Sequence, residues 1–123
     1  MGENIVLKEK LVDDWIRYQE LSRPESPEAL NYEWAADEVM DMSITDINMC
    51  WKFVLEVISK SKDEWVLANV GAGPLEDMMS TDSALTLELI RCALPNKELS
   101  FCLKNVWQNM MPEKALRELR SLI

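Results

Sequence analysis

The chain has 123 residues, 48% of them hydrophobic and 28% charged, with three glycines and five prolines. That is enough for one domain, residues 1–123, with a buried core, and no apolar run reaches the roughly 18–20 residues of a membrane span. A net charge of −9 argues against direct contact with phosphate backbones and favours basic partners.

Histidine is absent, which removes histidine triads, the common histidine general bases and most catalytic zinc sites. No cofactor or metal is expected. The opening MGENIVLKEKLVDDW lacks a basic n-region, and Glu3, Glu9, Asp13 and Asp14 interrupt it, so it does not read as a signal peptide. Gly2 does not fit N-myristoylation, which wants Ser or Thr at the position of Val6. Cys50, Cys92 and Cys102 are odd in number and scattered through apolar helical stretches, the pattern of free buried thiols in a reducing compartment. The expectation is a cytoplasmic protein.

Helical periodicity organises the chain from end to end. Leu7, Leu11, Trp15 and Tyr18 define a first helix, roughly Asn4 to Leu21. Pro24 and Pro27 break it, because they lack amide donors and bias the preceding residues away from helix. A second helix, Tyr32 to Met42, has Asn31 as its expected cap and a narrow buried face of Ala35, Ala36, Val39 and Met42. The third, Asp46 to Lys60, carries two apolar stripes and reads as central, capped by Thr45 or Ser43. The fourth spans Trp65 to Met79 behind a capping box of Ser61 and Glu64, with Trp65, Ala68, Ala72, Leu75 and Met79 on one face. The fifth runs from Asp82 to Leu94, capped by Thr81 or Asp82 and stopped by Pro95. The sixth runs from Lys97 to Met110, capped by Asn96, with Trp107 on its apolar face. Pro112 starts a seventh that reaches the terminus. No stretch alternates with period two. The fold class is all-α: about seven helices in antiparallel hairpins, as a short HEAT-like stack or a compact bundle.

Two segments resemble a known pattern. AGPLEDMM (Ala72–Met79), preceded by Leu67–Asn69, and NVWQNMMP (Asn105–Pro112) are similar to the AGPLEDLL and GVWQN-x-MP segments of a bacterial domain family of unknown function. YEWAADEVMDM (Tyr32–Met42) and CWKFVLEVI (Cys50–Ile58) fit the same resemblance. The chain departs from it at Gly71, where a small alanine is usual, and at Asn105, where glycine is common. The resemblance implies a bacterial all-helical domain and carries no activity.

Two constellations compete for function. In the fourth helix, Asn69 and Gly73 lie one turn apart, with Glu76 and Asp77 a turn beyond. As structure, Gly71 and Gly73 admit a close neighbour, Pro74 kinks or restarts the helix, and the acids sit in the following first turn. The acids are then expected to accept bonds from Gln108 or Asn109, or to pair with Arg91. As a site, Asn69, Glu76, Asp77, Gln108 and Asn109 form a polar pocket between the fourth and sixth helices. Adjacent carboxylates alone are a weak metal signal.

The second constellation is the acidic strip. Seven acids and no Lys or Arg lie between Arg23 and Lys52. Glu33, Asp37 and Asp41 repeat at i, i+4, i+8, beside Trp34, Glu38 and Met40. A like-charge row of this kind costs helix stability, so the strip reads either as a solvated face or as a docking surface for a basic protein. The leading expectation is a small acidic interaction protein that neutralises a basic partner, in its sharpest form an immunity protein for a toxin. A phage-type inhibitor mimicking nucleic-acid charge is related. An enzyme or small-ligand binder using Glu76 and Asp77 is the alternative.

Overall fold

The computed structural model describes residues 9–108 and 110–123, and among them all regular structure is helical, with no strand. Helix α1 (Glu9–Ser22) buries Leu11, Val12 and Trp15. A 3-10 turn (Pro27–Tyr32) follows the proline break, and Ser26 Oγ caps it by accepting the Glu28 N–H at 3.2 Å. The turn takes up Asn31, so α2 (Glu33–Thr45) starts without a side-chain cap.

Helix α3 (Ile47–Lys60) is central, as its two stripes imply. Phe53, Val54 and Val57 are wholly buried, and Trp15 stands edge-on to Phe53 with ring centroids 5.3 Å apart. Its cap is Asp46, which accepts the Met49 N–H at 3.1 Å. The expected caps are spent inside α2: Ser43 donates to the Met40 carbonyl at 2.7 Å and Thr45 to the Asp41 carbonyl at 2.9 Å.

The fourth helix departs most from expectation. It is a continuous rod of α4 (Glu64–Val70), a π turn (Gly71–Leu75) and α5 (Glu76–Thr81). Asp63 caps it, accepting the N–H groups of Trp65 at 2.8 Å and Val66 at 3.2 Å, in place of the expected Ser61–Glu64 box. Pro74 inside the π turn has no N–H to give, and the wider turn accommodates that gap. One extra residue per turn rotates everything downstream by about 100°. The buried face therefore runs Val66, Val70, Leu75, Met78 and Met79, while Trp65 and Ala72 are exposed.

Helices α6 (Ser83–Ala93) and α7 (Lys97–Leu103) are capped by Asp82 and Asn96 through the Leu85 and Leu99 amides. The helix expected to reach Met110 ends at Leu103. The Asn105 and Val106 N–H groups turn back onto the Cys102 and Leu103 carbonyls at 3.0 and 3.2 Å, a tightening common at helix ends. Val106 and Met111 take the core positions, and Trp107 is 62% exposed rather than buried. Pro112 caps α8 (Glu113–Arg120). Two cysteines are buried, as expected, but Cys92 is exposed on α6.

Helix α7 lies along α4, α5 touches both α2 and α6, and α8 packs on α6. These contacts lie within a would-be hairpin or join it to the next, as both expected arrangements allow, and the helices pack into one compact arrangement.

The tightest contact is at Gly71. A Cβ there would overlap the Cys102 carbonyl oxygen and stand 3.0 Å from Asn105 Cβ. Gly71 and Asn105, where the sequence departs from the pattern it resembles, thus face each other across one close contact. Gly73 differs: a Cβ would meet nothing within 4 Å. Gly71→Ala is expected to cost about 1–3 kcal/mol through overpacking. Gly73→Ala gains up to about 1 kcal/mol, the ordinary helical preference for alanine. Urea unfolding of both variants checks this, and equal costs at the two positions would contradict the packing.

Candidate docking face and cleft

The geometry of α2 separates its two sides. At 100° per residue, Ala35, Val39, Met42 and Ser43 fall on one arc and are buried. Glu33, Asp37, Asp41 and Ile44 fall on the opposite arc, flanked by Met40 on one side and Trp34 and Glu38 on the other, and all seven are exposed. Met40 is 58% and Ile44 59% exposed. Among the described residues no acid from Glu25 to Asp46 joins an ion pair; the cations pair elsewhere, as Lys60 does with Asp13 at 3.1 Å. Asp46 caps α3, and Asp41 Oδ2 receives only the Thr45 hydroxyl at 3.4 Å. The face is a row of uncompensated carboxylates beside two bare apolar side chains. Ile44 is absent from the sequence reading, although its place four residues after Met40 was there to be seen.

Trp34 sits at the edge of this face, 40% exposed, and is anchored. Its indole N–H donates to Asp14 Oδ2 at 3.0 Å, and Lys10 donates to the same oxygen at 3.0 Å. The Lys10 ammonium lies 5.9 Å from the indole ring, within cation–π range. The residue holds α2 to α1 and leaves part of its ring outside.

Among the described residues, Asn69, Glu76, Asp77 and Gln108 are not gathered on one pocket between the fourth and sixth helices. Glu76 Oε1 accepts the backbone N–H of Trp107 at 2.9 Å, so this carboxylate serves the chain segment after α7. Arg91 pairs with Glu118 at 3.3 Å, not with either acid. Gln108 is exposed, and Asn109 lies outside the described residues. Asn69 and Asp77 do come together, on another side of the rod. They line a cleft of about 170 Å³ bounded by Ala36, Val39 and Met40 of α2, Trp15 and Gln19 of α1, and Gly73 and Pro74. The open space beside Gly73 is this cleft. Adjacent residues on a helix point about 100° apart, which is why Glu76 and Asp77 part company. The rod also continues unbroken through Pro74, so the two acids gain no free helix N-terminus.

Burial raises the Asp77 carboxyl above its ordinary range, the neighbouring charge of Glu76 adds to the rise, and the Ser43 hydroxyl offsets part of it. Burial, with the charges of Asp77 and Asp46, pushes the Cys50 thiol up to about 12, and burial pushes Cys102 to about 12 as well. Both thiols are protonated and unreactive at neutral pH. Among the described residues no group of His, Cys, Asp and Glu side chains is placed to hold a metal ion, and no helix is long and apolar enough to cross a membrane.

The fold and these surfaces define a small acidic all-helical domain with one open charged face and one adjoining cleft. The chain belongs to a family of unknown function (DUF6869), whose model matches residues 22–121. No curated protein and no solved structure matches the chain. The matched span begins at the end of α1, so Trp15 and Gln19 line the cleft from outside it.

Ionising Asp77 in the folded state is unfavourable. Its raised pKa means that its stabilising contribution is full below the unfolded value and is lost as pH rises through the folded value. Asp77→Asn therefore raises Tm at pH 7, and the gain shrinks as pH is lowered toward the ordinary carboxylate value of about 3.9. Thermal melts across that range check the sign. A lower Tm for the variant at pH 7 would contradict it.

Proposed function

We propose that the chain is a small acidic interaction protein that docks a basic protein on α2 and neutralises it, as an immunity protein does a toxin domain, in the bacterial cytoplasm. The role is binding rather than catalysis, and neither nucleic acid nor membrane takes part. One observation carries the reading: Glu33, Asp37 and Asp41 stand in an uncompensated row with Met40 and Ile44 exposed among them.

Fold stability does not account for that row. Like charges at i, i+4 each cost a helix roughly 0.2–0.5 kcal/mol. As a docking face the same residues have complementary uses. The carboxylates steer a basic partner and speed encounter, while Met40, Ile44 and the half-exposed Trp34 supply the apolar contact that holds it. The alternative of a catalytic or ligand-binding pair is weakened, because Glu76 is occupied by the Trp107 amide.

The test is a triple charge reversal, E33K/D37K/D41K, co-expressed with the product of the adjoining gene. The variant is expected to keep its helical circular dichroism and to lose capture of a basic partner by about tenfold or more. Capture by the wild type should fall steeply with added salt. Capture by the reversed variant equal to that of wild type would sink the reading.

A further inference from the structure

The cleft beside α2 contains more unused polarity than packing requires. Gln19 is only 8% exposed, lines the cleft, and its side-chain amide has no hydrogen-bond partner among the described residues. Its backbone carbonyl is engaged, accepting the Trp65 indole N–H at 2.9 Å. Asn69 donates through Nδ2 to the Trp65 carbonyl at 2.8 Å, which leaves its amide oxygen free. Asp77 joins no ion pair among the described residues, although it is partly desolvated. Among the described residues no fully buried side-chain N or O atom lacks a partner, so the free Gln19 amide is one that opens to the cleft. Here three side chains with free oxygen acceptors face one cavity.

The walls are of a different character. Trp15, Val39 and Met40 are apolar, and Gly73 contributes no side chain where there is open space. The volume, about 170 Å³, is an order of magnitude above the roughly 10–15 Å³ that holds one water. Acceptors with apolar walls suit a cationic head on an aliphatic stem. Met40 belongs both to the cleft and to the acidic face, so a chain lying on α2 passes the opening.

We propose that this cleft receives one lysine or arginine side chain of the basic partner, its cationic head at Asp77 and the Gln19 and Asn69 amide oxygens, its stem against Trp15 and Met40. The inference rests on the docking reading of α2 and names its anchor. Truncating that partner residue is then the most damaging single change on the partner's side, since it leaves a desolvated carboxylate unpaired.

The test needs no partner protein. Amide NMR spectra are recorded during titration with n-butylammonium, with n-butylguanidinium and with n-butanol as the neutral analogue, at an ionic strength of about 0.15 M. The cations are expected to shift the Gly73 and Asp77 backbone amides and the Gln19 and Asn69 side-chain amides saturably, and butanol to leave them unmoved. Asp77→Asn should weaken cation binding about tenfold or more, the loss of one charge-assisted contact. Gly73→Leu, which grows a side chain into the open space, should abolish the shifts. The E33K/D37K/D41K variant should still bind the cations saturably at the same amides, though more weakly, because Asp37 and Asp41 adjoin the cleft-lining Ala36 and Met40. Equal shifts with butanol, or unchanged cation binding by Asp77→Asn, would overturn the proposal. A failed docking test on α2 and an unresponsive cleft are thus separate results.

Discussion

The close approach of the π turn to α7 at Gly71 sets the rest of the structure. No side chain fits between the Gly71 backbone and the Cys102 carbonyl, so the two elements touch backbone to side-chain-free backbone. With α7 held there, the chain after Leu103 is drawn past α5, where Glu76 accepts the Trp107 N–H. The π turn also touches α2 and α3, so besides its two flanking helices this five-residue segment meets α2, α3 and α7. Its extra residue turns Val70 and Leu75 onto the same buried side and sends Asp77 and Gly73 toward α2.

The two sides of that rod have opposite energetics. Behind it, Val66, Val70, Leu75, Met78 and Met79 are fully buried, and each such side chain contributes on the order of 1.5–3 kcal/mol. In front, two features oppose stability: a partly desolvated Asp77 and a like-charge row on α2. Features that cost stability and cluster on one side of a molecule are the ones that a binding role explains.

The helices were legible because apolar residues recur every three to four positions and because Asp82 and Asn96 sit directly before a periodic run. Capping of α3 was misread because Ser43, Thr45 and Asp46 are all cap formers within four residues, and only geometry chooses among them. Gly71 and Pro74 announced an irregularity but not its direction, since the sense of a π rotation is fixed by what packs behind it. Trp107 looked like core on a wheel that assumed helix to Met110. That helix ends at Leu103, and beyond it Glu76, distant in sequence, holds the Trp107 amide, a bond that no local pattern records. The acidic face was legible as charge spacing. Its apolar complement at Ile44 and the cleft beside Met40 depend on α1 and the π turn being brought alongside, which is tertiary information.

If the π turn is the joint of the fold, it should open only when the whole protein does. Native-state hydrogen exchange of the amides from Val70 to Met79, with Pro74 silent, measures this directly. The account predicts that Leu75, Met78 and Met79 exchange with the free energy of global unfolding obtained from urea denaturation, rising and falling with it in variants. Exchange of these amides through a local opening, well below the global value and insensitive to denaturant, would contradict it.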